Sequence, residues 1–128
     1  MTVQNTIYVK ARQTFFAVRL DTIAFMEQEC RQITIHLTGG QNICFYGEYD
    51  RMMPWLDDRF VHPHQSYVIN MQQIHRLGKN EALLFSGDTI EMGNSCFARL
   101  RKAYREYITE NIHSRPDILA GDRMKRKK

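Results

Sequence analysis

Between residues 32 and 46 the chain reads as a β-hairpin. Ile33, Ile35 and Leu37 alternate with Gln32, Thr34 and His36, the period of two that turns one set of side chains to a buried sheet face. Residues 42–46 return as the partner strand. Gly39-Gly40 between them takes positive φ at no steric cost, as a tight two-residue turn requires. An antiparallel hairpin with Ile33, Ile35 and Leu37 inside is therefore expected.

The flanking segments follow the same pattern. Residues 6–10, 14–20 and 22–27 read as strands, with Phe16, Val18 and Leu20 on one face of the second and Ile23 and Phe25 on one face of the third. A polar break, Gln28-Glu29-Cys30-Arg31, separates the third strand from the hairpin. At residues 48–56 the period changes. Tyr49, Met52, Met53 and Leu56 fall at i, i+3, i+4 and i+7, one face of a helix that Pro54 shortens or kinks. Residues 72–76 form a weak strand and Gly78-Lys79-Asn80 a turn. Residues 82–86 and 89–92 pair through Gly87-Asp88. Phe97, Leu100, Tyr104, Tyr107 and Ile108 mark the apolar stripe of a last helix, with Arg99, Arg101, Lys102 and Arg105 on its other sides. Eight or nine short strands, one short central helix and a C-terminal helix make a mainly β domain over residues 1–113. Residues 114–128, with Pro116, Gly121 and RMKRKK, are expected to form a basic flexible tail.

Charge divides the chain. Residues 99–128 hold ten Lys and Arg against four Asp and Glu, a balance of +6, which leaves −2 for residues 1–98. Any basic patch facing nucleic acid must draw on the last helix, the tail and a few loop arginines. No apolar run is long enough to span a bilayer, and the N-terminus lacks the features of a secretory signal, so no membrane insertion is expected. Cys30, Cys44 and Cys96 are odd in number and widely spaced, which fits free thiols in a reducing cytoplasm. His62 and His64 sit at strand spacing, but no third ligand of recognisable spacing joins them. No catalytic constellation has defined spacing either, so neither a metal, a cofactor nor an enzymatic activity is expected.

Residues 60–70, FVHPHQSYVIN, hold the chain's strongest functional signal. Pro63 fixes its own φ and biases His62 away from the helical region, so the polar knuckle His62-Pro63-His64-Gln65 should be extended and stiff. It would present His64 and Gln65 at the mouth of a strand. This stretch resembles the F-x-R-x-H-x-S-x-x-V-N signature of LytTR-type DNA-binding domains, with His64, Ser66 and Asn70 in register and His62 where the family often has Arg. Ile23-Ala24-Phe25-Met26-Glu27 resembles the family's I-x-Y-I-E strand. Phe45-Tyr46-Gly47 and Leu56-Asp57-Asp58-Arg59-Phe60 resemble its approach to the knuckle, and residues 85–97 its last hairpin and helix start.

The resemblance implies an elongated stack of small antiparallel sheets whose loops, not a recognition helix, enter the major groove of double-stranded DNA. Its three contact regions map here onto Arg31 and Gln32, onto His64 and Gln65, and onto Asn94 and Ser95, with Arg99 one turn further on and expected on phosphate. These side chains have the chemistry for such contacts. Arg pairs bidentately with guanine, Gln and Asn pair with adenine, and N–H groups at a helix start favour phosphate. Plainer roles stand beside these: N-caps for Asn94 and Ser95, a structural hydrogen bond for His64, and a turn for Asn70. Two departures weaken the expected DNA affinity. The family's Ser-Arg near Gly93-Asn94 lacks its arginine here, and the first loop carries Glu27 and Glu29 beside one base. The family commonly follows a phospho-receiver domain. Here nothing precedes the first strand, so a stand-alone regulator is expected, binding paired half-sites as a homodimer or controlled by a protein partner. The alternative is an interaction module of the same fold that modulates a DNA-binding relative.

Overall fold

The computed structural model describes residues 5–111. The expected tail and its boundary at residue 113 lie outside them. Ten strands and two helices follow in the order β1 (Thr6–Ala11), β2 (Thr14–Arg19), β3 (Ile23–Glu29), β4 (Gln32–Leu37), β5 (Asn42–Tyr46), α1 (Tyr49–Met52), β6 (Phe60–His64), β7 (Tyr67–Asn70), β8 (Ile74–Gly78), β9 (Glu81–Leu84), β10 (Thr89–Glu91) and α2 (Asn94–Asn111). All pairings are antiparallel. They form a hairpin β1-β2, a central sheet of order β5-β4-β3-β7-β6 and a small sheet β10-β9-β8.

The hairpin of residues 32–46 is present, with Ile33 and Ile35 fully buried and Leu37 half-buried. Its turn is longer than two residues. Leu37 N–H donates to the Gln41 carbonyl, and of the two glycines only Gly40 has a positive φ, at 93°.

The central sheet separates two hydrophobic clusters. On one face Ile23, Met26, Ile33, Ile35 and Val68 pack against β1-β2 and Tyr49 of α1. On the other, Phe25 and Ile69 pack against Leu84, Ile90 and Leu100 from the small sheet and α2. Adjacent residues of β3 and β7 thus enter opposite cores, so both strands are apolar on both sides. The placement of Ile23 and Phe25 on one face is corrected: a bulge between them adds a residue and reverses the alternation, so they fall in different clusters.

The short central helix takes the kinked form that Pro54 predicts, four α residues followed by a 3-10 turn, Met53–Trp55. The weak strand of residues 72–76 is displaced to Ile74–Gly78. A 3-10 turn, Met71–Gln73, occupies its start, held because the Asn70 carboxamide oxygen accepts from Gln72 N–H at 2.9 Å. Asn70 Nδ2 also donates to the Ile23 carbonyl at 2.8 Å from a fully buried position. The turn role is the one the structure gives Asn70.

Candidate nucleic-acid interface

Antiparallel order brings two of the three expected contact regions to one edge of the central sheet. β3 ends at Glu29 and turns through Cys30-Arg31 into β4, where Gln32 faces Glu29. Cys30 has φ 59°, the left-handed region that non-glycine residues rarely adopt. Beside β3, β7 begins opposite Glu27, and His64 pairs with Tyr67, so the knuckle closes as a two-residue turn, Gln65-Ser66. Arg31, Gln32 and Gln65 are exposed along this edge and His64 is half-buried. With β4, β3, β7 and β6 in sequence, the midpoints of the two turns are two strand spacings apart, roughly 10 Å.

The knuckle is gripped from several sides. The Ser66 carbonyl accepts from Gln28 N–H at 2.8 Å and from the Tyr49 hydroxyl at 2.9 Å. Burial pushes the Tyr49 phenol well above its ordinary range, with the nearby charge of Glu27 adding to the effect, so it remains a neutral donor. Gln28 ties the two turns together. Its backbone N–H holds Ser66, while its Nε2 donates to the carbonyls of Cys30 at 3.2 Å and Gly47 at 3.1 Å. The His62 ring packs edge-on against Tyr49 at 4.9 Å, and its Nε2 lies 3.4 Å from the Gln65 carbonyl. Tyr49→Phe is expected to cost about 1 kcal/mol of stability, since Ser66 keeps its bond from Gln28. Urea unfolding checks this; a loss beyond about 3 kcal/mol would mean that the hydroxyl holds more than the knuckle.

His64 has a defined hydrogen-bonding state. Ser66 N–H donates to its Nδ1 at 3.0 Å, so that nitrogen carries a lone pair and Nε2–H is the donor left to offer. The structural role of His64 and a contact role are thus compatible, one nitrogen serving each. Of the two acids of the first loop, Glu27 turns to His36, with Oε1 2.6 Å from Nε2, while Glu29 stays exposed.

The third region sits at the start of α2. The Gly93 carbonyl accepts from Phe97 N–H at 2.9 Å, which makes Gly93 the N-cap and puts Asn94 and Ser95 in the first turn. Asn94 Oδ1 accepts from Asn80 Nδ2 at 2.6 Å, which ties it to the β8-β9 turn. Ser95 lies four residues before Arg99 and shares its face. Arg99 Nη1 donates to the Pro63 carbonyl at 2.7 Å, so this face meets the knuckle. Sequence reasoning missed Gln28 and Tyr49 as supports and missed this bond. Tyr49 read only as one apolar residue of a helix stripe, and no pattern marks a carbonyl as awaiting a donor.

Exposed polar turns at one edge of a sheet, steadied by part-buried and exposed hydrogen bonds and flanked by a helix start, define a loop-presenting binding domain. Residues 13–105 match the LytTr DNA-binding domain family, and the chain belongs to that family. Accessory gene regulator protein A from two strains of Staphylococcus epidermidis is 31% identical over 99 residues, covering 76% of this chain and 39% of the relative. The chain therefore spans about two-fifths of the length of these curated relatives. Among solved structures, the LytTr DNA-binding domain of a Bacillus cereus protein described as a methyl-accepting/DNA response regulator matches with a TM-score of 0.66. That match covers 79% of this chain and 97% of the other at 13% identity, and so it speaks for the fold alone.

Proposed function

We propose that this chain is a transcription regulator that binds duplex DNA sequence-specifically, reading bases with the sheet edge that carries Arg31, Gln32, His64 and Gln65. The observation that carries the reading is the juxtaposition of the two turns, hydrogen-bonded to each other through Gln28. Affiliation with a family of DNA-binding domains supports it. A spacing of roughly 10 Å corresponds to about three base steps at 3.4 Å each, so one protomer would read bases about three apart. Arg31 offers the bidentate donor that suits guanine, Gln65 the donor and acceptor that suit adenine, and His64 a single donor. Ser95 and the first-turn N–H groups of α2 suit phosphate. Two copies on paired half-sites would double the contacts. Among the described residues no helix is long and apolar enough to cross a membrane, and action in the cytoplasm is part of the proposal.

The test is selection of sites from a random duplex library by the wild-type protein, followed by titration at several salt concentrations. An enriched motif with two preferred positions about three base steps apart is expected, with affinity falling as salt rises. Recovery of no motif would favour a second reading, a module that docks on a DNA-binding relative. The feature behind that reading is a groove of about 740 Å³ between β1, β5 and α1, where Tyr8, Tyr46 and Trp55 are largely exposed.

A further inference from the structure

We infer that Arg99 is a positioning residue: from the last helix it fixes the bulge that aims the Gln65 knuckle. The inference rests on the DNA-binding reading above and departs from the phosphate contact expected of this residue from the sequence. β6 and β7 pair at Val61–Ile69 and again at His64–Tyr67, so His62 and Pro63 together oppose Val68 alone. Such a bulge interrupts the ladder and leaves backbone groups without strand partners. Pro63 is among the most deeply buried residues, and a buried carbonyl needs a donor. Arg99 supplies it at 2.7 Å, across 36 residues of sequence. A guanidinium donor makes this bond stronger than a neutral one.

The bond sets where the reading tip lies. Gln65 is two residues beyond Pro63, about 7 Å of extended chain. A tilt of roughly 15° at the bulge would move its amide by about 2 Å, far outside hydrogen-bond tolerance. Tyr49 and Gln28 grip the other end of the turn at the Ser66 carbonyl, and on the β6 side Arg99 adds a charged anchor at the bulge to the packing of His62 on Tyr49. Leu100, next in sequence, is fully buried in the second cluster, which fixes the helix from which Arg99 reaches. Ser95, on the Arg99 face, is thereby held in a fixed relation to Gln65. The knuckle and the helix start form one reading unit.

Three variants separate positioning from charge. Arg99→Ala removes the anchor, Arg99→Lys keeps the charge and a donor group, and Arg101→Ala removes the same charge from an exposed position on another side of α2. Two readouts apply to each: amide exchange at Ser66, whose N–H is held by His64 within the knuckle, and site selection with affinities on the best and single-base-altered sites. Arg99→Ala is expected to speed Ser66 exchange about tenfold and to reduce discrimination at the Gln65 base position about fivefold or more. Arg99→Lys should stay within about twofold of wild type in both, and Arg101→Ala should weaken all sequences alike with Ser66 exchange unchanged. The inference is overturned if Arg99→Ala, still folded by circular dichroism, leaves Ser66 exchange and base preference at wild-type values. A wild type that binds without base preference overturns the DNA-reading claim and this inference together, and that result is visible before any variant is made.

Discussion

Leu100→Ala is expected to lower the stability of the domain by about 2–5 kcal/mol, the largest loss among the substitutions proposed. Leu100 is fully buried and projects from α2 into the cluster formed with Ile69, Leu84 and Ile90. Truncation forfeits its transfer free energy and leaves a cavity between a helix and a twisted sheet, neither of which collapses easily onto the other. Domains of this size have about 5–15 kcal/mol of stability, so the loss is a large share of the total. Urea unfolding should show the midpoint lowered by about 1–3 M with little change in slope. A loss under about 1 kcal/mol would mean that α2 is not seated through this residue. The substitution should also loosen the knuckle, because Arg99 reaches Pro63 only from a seated helix.

Asn70→Ala is expected to cost about 2–4 kcal/mol, through hydrogen bonds rather than volume. The carboxamide donates to the Ile23 carbonyl, 47 residues away, and accepts from Gln72 N–H. Alanine leaves the Ile23 carbonyl without this donor in the interior and frees the 3-10 turn that leads into β8. Thermal unfolding and amide exchange at Gln72 measure the two effects separately. A variant as stable as wild type would show that the bonds are replaceable by water and that the turn does not depend on them.

The parts of the fold that were legible in the sequence share a physical cause. Residues 32–37 alternate because the face opposite Ile33 and Ile35 is less deeply buried, so polarity tracks the pleat. β3 runs apolar from Ile23 to Met26 because it is covered on both faces, and there alternation carries no information. The bulge after Ile23 is a tertiary adjustment that no local pattern announces. The displaced start of β8 has a different origin: the Asn70 cap is a side-chain bond that competes with strand pairing, and the apolar period cannot see it. At the candidate site, Pro63 made the knuckle legible as a stiff polar projection, and Gln65 is exposed at its turn. The supports were not legible. Gln28 sat in what read as a polar break, Tyr49 in an apolar helix face, and Arg99 among the exposed charges of the last helix. Each acts through a backbone carbonyl distant in sequence, and only the folded register brings those partners together.

The central claim is that the knuckle reads a base edge through Gln65. Site selection with wild type and Gln65→Ala, each checked for folding by circular dichroism, tests it most directly. Wild type should enrich one motif. Gln65→Ala should bind the best site about 1–3 kcal/mol more weakly and lose preference at one base position while keeping the others. Unchanged affinity and an unchanged motif in a folded Gln65→Ala protein would contradict the account and remove the knuckle from DNA recognition.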